Sequence, residues 1–111
     1  MILSLMRQEF HRDLTLGELA QSVNLSTSYL HHLFKAETGT SPWLYLNSLR
    51  LERARELLVT TMLSVKQVMV CVGMKDISHF GREFKKAYGK PPGMYRMSAR
   101  LNAYTDSIRR G

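Results

Sequence analysis

The chain has 111 residues, of which 44% are hydrophobic and 23% are charged, and its 16 Lys and Arg against 9 Asp and Glu give a formal charge of +7. The longest central apolar run, from Val68 to Val72, is far shorter than the roughly 20 residues that a transmembrane helix needs. The single cysteine, Cys71, excludes an internal disulfide and a cysteine-based zinc site, and is typical of a reducing compartment. We therefore expect a cytoplasmic domain with a purely hydrophobic core.

The charge is unevenly distributed along the chain. Residues 1–56 carry six cations and six anions, whereas residues 57–111 carry ten cations against three anions. All of the net charge therefore lies in the second half. A basic surface favours an anionic polymer or a membrane as partner, but charge alone does not choose between them.

The first half of the chain predicts three helices. Apolar residues recur at helical spacing along nearly the whole sequence, which indicates an all-α fold. A capping box of Thr15 and Glu18 begins a short helix, and Asn24, which tolerates the left-handed conformation, ends it. Ser26 caps a second helix, which ends at Gly39. The buried face of that helix is predicted to hold Leu30, Leu33 and Phe34.

Ser41 and Pro42 are the cap and first position of a long helix that runs to about Thr61. Its predicted apolar stripe comprises Trp43, Leu46, Leu49, Ala54, Leu57 and Leu58. At about 1.5 Å per residue this helix is roughly 28 Å long.

The same order of signals then repeats about 49 to 50 residues later. Ser64 and Gln67 form a second capping box, Gly73 takes the place of Asn24, and Asp76 caps a helix whose buried face holds Phe80, Phe84 and Tyr88. Gly89 and Pro92 stand where Gly39 and Pro42 stood. Each copy is a capped helix, a short turn and a second capped helix, which is typical of a helix-turn-helix.

A plain helical bundle also explains one copy alone. Two copies joined by a helix of suitable length favour DNA binding, because a rod of roughly 28 Å holds two second helices at about the repeat of B-DNA, roughly 34 Å. Both helices would then enter successive major-groove segments.

The sequence resembles the C-terminal DNA-binding domain of AraC/XylS-type bacterial transcriptional regulators. The resemblance covers about residues 14–96 and rests on five stretches: residues 14–20, 25–30, 33–42, 50–58, and 84–92 followed by Tyr95-Arg96. It implies about seven helices in two helix-turn-helix subdomains, about 1–40 and 63–96, joined by a linking helix over about 42–61. Residues 97–111 lie beyond the family signature, and we expect them to form a frayed or weakly helical tail without an assigned function.

The resemblance, together with the exposed faces of the two second helices, gives the candidate site residues. The base-reading candidates are Ser28, His31 and His32 in the first copy, and Ile77, Ser78 and Arg82 in the second. The phosphate-binding candidates are Thr27, Lys35, Ser41, Lys85, Lys86, Lys90 and Arg96. A solvated polar face remains the alternative for the histidines and for Lys85 and Lys86. A phosphate contact or an i, i+4 pair remains the alternative for Arg82, and a hydrophobic staple for Ile77.

The resemblance also implies partners and excludes other classes. We expect double-stranded DNA as the partner, with RNA polymerase as a further candidate, no membrane, no metal and no cofactor. The sequence has no Gly-rich phosphate loop, no Cys/His cluster and no nucleophile triad at recognisable spacing, so we expect no enzyme activity.

Family members usually carry an N-terminal effector or dimerisation domain. We therefore expect the chain to be a monomeric fragment of a larger regulator, which would dimerise through its N-terminal domain. The alternatives are a stand-alone short regulator of the same family and a basic helical module that binds nucleic acid without specificity.

Overall fold

The structure, a computed structural model, describes residues 2–11 and 15–110. Leu14, which begins the first family-like stretch, and Gly111, which ends the predicted tail, lie outside these residues. The helices are α1 (Ile2–Glu9), α2 (Leu16–Ser22), α3 (Thr27–Thr38), α4 (Pro42–Thr60), α5 (Val65–Cys71), α6 (Ile77–Tyr88) and α7 (Pro92–Arg110). No strand occurs in this described part, and the prediction of an all-α fold with about seven helices is confirmed.

The predicted helix starts are observed as side-chain caps. The Thr15 hydroxyl accepts a hydrogen bond from the Glu18 N–H at 3.0 Å. At Ser64 and Gln67 both bonds of the capping box form, from the Gln67 N–H to the Ser64 hydroxyl at 3.1 Å and from the Ser64 N–H to the Gln67 side chain at 2.8 Å. These bonds satisfy N–H groups that the first helical turn leaves without a backbone partner.

The predicted helix ends are observed as left-handed residues. Asn24 has φ +57°, and Gly39, Gly73 and Gly89 have φ +78°, +85° and +84°. Glycine adopts this conformation without a Cβ penalty, and asparagine is one of the few other residues that tolerates it. Two of these residues lie in the turns of the helix-turn-helix copies, and two end the second helix of each copy.

The chain divides into two compact units inside α4: unit 1 covers residues 1–50 and unit 2 covers residues 51–111. The core of unit 1 consists of Met6, Leu19, Ala20, Leu30, Phe34 and Leu46. The core of unit 2 consists of Leu51, Ala54, Leu58, Val68, Met69, Val72, Met74, Phe80 and Phe84. Each unit therefore packs its helix-turn-helix on part of α4, and α4 belongs to both units.

The internal repeat is visible in atomic contacts as well as in sequence. In unit 1 the rings of Phe34 and Tyr45 meet edge to face at 5.6 Å, and in unit 2 the rings of Phe84 and Tyr95 meet in the same way at 5.5 Å. Both pairs are related by a shift of 50 residues. The repeat therefore includes the start of the helix that follows each helix-turn-helix.

Two expectations about helices differ from the structure. Residues 97–110, expected to form a frayed or weakly helical tail, continue α7 without a break. This segment contains no Gly or Pro, and Leu101 and two alanines favour a helix. Trp43, predicted in the buried stripe of α4, is 56% exposed, because Pro42 and Leu46 occupy the buried side of the first turn.

Candidate nucleic-acid interface

The first helix-turn-helix is built from α2, the turn around Asn24 and α3. The Leu25 N–H donates to the Ala20 carbonyl at 2.9 Å, which closes the turn directly onto the end of α2. The Ser26 hydroxyl then accepts from the Tyr29 N–H at 3.2 Å and begins α3. This geometry fixes the point at which α3 starts and therefore which of its faces points outward.

The outer face of α3 presents the side chains that the sequence assigns to DNA. Leu30 and Phe34 are buried in the unit 1 core. The opposite side carries the exposed residues Thr27, Ser28, His31, His32 and Lys35. All of these except Thr27 line one shallow surface depression together with Ala36. The structure thus brings the predicted base readers of the first copy together on one exposed face.

Ser41 lies at the start of α4 and is half-buried. Its hydroxyl accepts a hydrogen bond from the Leu44 N–H at 3.2 Å, so it serves as the helix N-cap. Pro42 has no N–H to offer, and the Leu44 N–H is already used. The predicted phosphate contact of Ser41 therefore has fewer backbone donors than the sequence suggests.

The second helix-turn-helix has the same turn geometry. The Met74 N–H donates to the Met69 carbonyl at 3.1 Å, which matches the Leu25 to Ala20 bond of the first copy. One carboxylate oxygen of Asp76 accepts from the N–H groups of Ser78 and His79 at 2.9 and 3.1 Å and caps α6. Asp76 thus takes the role of Ser26 with a charged side chain.

The outer face of α6 is more basic than that of α3. Phe80 and Phe84 are fully buried. The exposed residues are the predicted contacts Ile77, Ser78, Arg82, Lys85 and Lys86. Gly81 lies among them, and apart from its chain neighbours and the adjacent helix backbone no heavy atom lies within 4 Å of the position that a Cβ would take. An approaching duplex would meet bare backbone at this point of the helix.

The cap and the candidate base reader of α6 interact electrostatically. The pKa of Asp76 lies below its ordinary value, chiefly because the His79 N–H donates to its carboxylate, with further contributions from the Ser78 N–H and the positive charge of Arg82. The carboxylate therefore stays ionised at the start of α6. Its charge also lies within reach of the Arg82 guanidinium.

The predicted phosphate anchors of α7 differ from each other. Lys90 is exposed and donates from Nζ to the Ser98 hydroxyl at 2.9 Å, which leaves the ammonium at the surface. Arg96 is half-buried, and its Nε donates to the Leu58 carbonyl at 2.8 Å. A second donor of Arg96 reaches the Thr61 carbonyl at 3.5 Å. Burial also lowers the pKa of Arg96.

Arg96, a phosphate-binding candidate from the sequence, is thus already hydrogen-bonded within unit 2. Its guanidinium satisfies carbonyl groups at the end of α4, which have no partner within their own helix. The sequence identifies a cation near the family signature Tyr95-Arg96, but it does not show that the side chain points into unit 2.

The two units differ in charge. Residues 1–50 carry four cations and four anions, whereas residues 51–111 carry twelve cations and five anions. Unit 2 therefore carries the whole net charge of +7. An anionic polymer would be attracted mainly to unit 2.

Trp43, which is outside the predicted set of site residues, lies near the α3 face. Trp43 lines a cavity of unit 1 together with His31, Ser41 and Leu16. Its exposed indole next to a predicted base reader makes it a further candidate for DNA contact. The sequence signal was misleading here, because the i, i+3 spacing of Trp43 and Leu46 resembles a buried stripe.

Across residues 2–11 and 15–110 the structure contains no group of three or more His, Cys, Asp or Glu that is placed to hold a metal ion. Within the same residues no helix combines the length and the apolar character that a membrane crossing requires.

Comparison with known proteins identifies the domain. A family model described as a helix-turn-helix domain matches residues 19–98. The transcriptional activator NphR of Rhodococcus is 47% identical over 85 residues, and the match covers 76% of this chain and 25% of NphR. The chain therefore spans about a quarter of the length of that relative.

Solved structures agree with this match. A transcriptional regulator of Chromobacterium violaceum with an AraC-type DNA-binding domain has a TM-score of 0.81 at 32% identity over 88% of both chains. The DNA-binding domain of AdpA, solved in complex with a target DNA, has a TM-score of 0.87 at 24% identity over 91% of both chains and shows the shared fold. The chain therefore belongs to the AraC/XylS family of transcriptional regulators, in which it forms an AraC-type helix-turn-helix DNA-binding domain.

Proposed function

We propose that the chain binds double-stranded DNA in a sequence-specific manner, with α3 and α6 in successive major-groove segments. The observation that carries this proposal is the repeated helix-turn-helix, in which both second helices bury an apolar face and present a polar face outward. A major groove admits one α-helix, and its base edges offer a distinct pattern of donors and acceptors for each base pair.

The base readers differ between the two helices. On α6, Arg82 is the residue that can make the bidentate contact to guanine, which discriminates by about 1 to 3 kcal/mol. Ser78 can bond to several base edges, and Ile77 can contact a thymine methyl group. On α3, Ser28, His31 and His32 offer donors and acceptors with less selectivity for one base. Sequence preference should therefore be sharpest under α6.

Phosphate contacts position the domain. We assign them to Thr27 and Lys35 of α3, Lys85 and Lys86 of α6, and Lys90, with a weaker contribution from the start of α4 at Ser41. Arg96 is left out because its guanidinium caps α4. The neutral charge of unit 1 and the +7 of unit 2 support unit 2 as the electrostatic anchor.

The biological setting follows from the relatives. NphR is a transcriptional activator and four times as long as the matched part, so we infer that this domain acts in a larger cytoplasmic regulator with an effector-sensing part. RNA polymerase is a candidate second partner. The domain itself acts by binding and not by catalysis. A stand-alone short regulator remains the second candidate.

Selection of bound sites from a random duplex library tests the proposal and supplies the operator. With that operator, Arg82→Ala should relax the preference at one or two base pairs by about 1 to 3 kcal/mol. Lys85→Ala should weaken binding to all sequences alike and reduce the salt slope by about 1. Arg109→Ala is the matched control, because it removes an exposed cation far along α7 and should change neither property.

Two results would contradict this assignment. Equal affinity for operator and random DNA at about 150 mM salt would leave only a non-specific polycation. Specific binding that Arg82→Ala leaves unchanged at every base pair would remove α6 as the reader.

A further inference from the structure

Helix α7 carries an apolar surface that the DNA-binding role does not use. The first turns of α7 pack into unit 2: Pro92 is buried, and Tyr95 contacts the core through Phe84. From residue 100 to residue 109 every residue except Thr105 is exposed. A helix of this length that projects one face into water loses the packing that stabilises most helices in proteins.

Five large apolar side chains lie along one side of this helix. We call them the α7 stripe: Met94, Met97, Leu101, Tyr104 and Ile108. Each of them is between 58% and 71% exposed. Their spacing alternates between three and four residues, which is the a/d pattern of two successive heptads. Such a stripe is the seam along which one helix packs against another.

We propose that the occupant of the α7 stripe is the α7 stripe of a second copy of this chain. At roughly 200 Å² per large side chain, five side chains exposed to about 60% offer roughly 600 Å². Two copies would together bury roughly 1,200 Å², which is the lower end of the range for specific interfaces. A contiguous apolar patch of this size on a monomer is often functional.

The residues beside the stripe favour a second copy over an acidic or lipid partner. Three of the four flanking heptad positions hold the uncharged residues Ser98, Thr105 and Ser107, and the Lys90 ammonium beside them is bonded to the Ser98 hydroxyl at 2.9 Å. The fourth flanking residue, Arg100, lines the same surface depression as Leu101 and Tyr104, and its guanidinium is held by a hydrogen bond to the Thr61 carbonyl at 3.2 Å. A helix that binds anionic lipid usually flanks its apolar face with Lys and Arg.

The association should be weak. Two heptads are fewer than the three or four that a stable coiled coil usually has, and both copies carry +7. We expect a dissociation constant on the order of 10 to 100 µM. The chain would then be a monomer at the low concentrations at which one domain occupies DNA, in agreement with the sequence-based expectation, and a dimer at high local concentration.

Sedimentation equilibrium of the 111-residue chain from about 1 to 500 µM tests the proposal, with reductant present because Cys71 is exposed. The average mass of the wild type should rise towards the dimer. Leu101→Glu should stay monomeric. Val70→Glu is the matched control, because Val70 is 63% exposed on α5 and lies outside the stripe, and it should behave as the wild type.

A second variant keeps the test independent of folding. Leu101→Ala improves helix propensity and should still raise the dissociation constant at least about tenfold. A wild-type mass that stays constant up to about 500 µM would overturn the proposal. So would equal effects of Val70→Glu and Leu101→Glu. Binding of the monomeric chain to phosphatidylglycerol vesicles that Leu101→Glu abolishes would assign the stripe to a membrane instead.

Discussion

We assign Arg96 to stabilising the fold rather than to binding DNA, and Arg96→Met tests this assignment. Methionine keeps most of the aliphatic stem but removes every donor. The lost bond from Nε to the Leu58 carbonyl is 2.8 Å long, and a hydrogen bond to a charged group contributes about 1.5 to 3 kcal/mol. The 3.5 Å contact to Thr61 adds little. We therefore expect a loss of about 2 kcal/mol in the free energy of unfolding.

For a chain of 111 residues this loss lowers Tm by about 8 °C. Thermal melting followed by circular dichroism measures the shift, with Arg109→Met as an exposed control that should leave Tm unchanged. DNA affinity measured well below Tm should keep its salt slope. A reduced salt slope together with an unchanged Tm would refute the reasoning and restore Arg96 as a phosphate anchor.

Two further substitutions probe α6. Gly81→Ala should raise the free energy of unfolding by about 1 kcal/mol, because the new Cβ meets open space. Gly39→Ala should lower it, because Gly39 has φ +78°. Urea unfolding of both variants measures these changes, and a destabilised Gly81→Ala would contradict the reasoning. The lowered pKa of Asp76 means that its ionised form stabilises α6 above the ordinary pKa of about 3.9 and that this contribution is lost as the pH falls through the lowered value. Asp76→Asn keeps a capping side chain without the charge. Its free energy of unfolding should therefore be lower than that of the wild type at pH 7, and the difference should shrink in acid. A difference that does not change with pH would argue against this.

The features that sequence predicted best are the local ones. The capping residues Thr15, Ser26, Ser64 and Asp76 all begin helices, and the four predicted left-handed ends all occur. These signals act within a few residues, because a cap or a positive φ depends on the side chain and backbone of that turn alone. The internal repeat showed each of these signals twice in the same order, which favours a helix-turn-helix over a chance pattern.

The features that sequence missed depend on contacts between distant residues. Met6 of α1 is completely buried in the unit 1 core, although nothing in residues 1–10 alone distinguishes this short segment from a mobile end. The spacing of Leu5, Met6 and Phe10 is helical, but a helix of eight residues is stable only when packed on a partner. The sequence also could not predict where the Arg96 side chain points, because its partners, the carbonyls of Thr61 and Leu58, lie 35 and 38 residues away.

The repeat extends to Arg50 and Arg100, which both donate hydrogen bonds to carbonyl groups at helix ends. Arg50 donates from Nε to the Phe10 carbonyl just after α1, at 2.6 Å. Arg100, 50 residues later, donates to the Thr61 carbonyl just after α4. In unit 1 an arginine of α4 therefore binds a carbonyl at the end of α1, and in unit 2 an arginine of α7 binds a carbonyl at the end of α4. The negative end of the helix dipole favours a cation at both places.

Because several arginines of unit 2 make contacts within the unit, the net charge of +7 overstates the positive charge that is available to DNA. In unit 2 the Arg96 and Arg100 guanidinium groups cap α4, Arg53 pairs with Glu56 at 2.9 Å, and Arg55 lies 5.9 Å from the centre of the Tyr88 ring. These four of the twelve cations of unit 2 are thus engaged within the unit, as is Lys90 through its bond to Ser98. If DNA binds as proposed, the cations on the outer face of α6 face the duplex, and we expect the attraction of DNA to depend more on α6 than a charge of +7 spread over unit 2 would suggest.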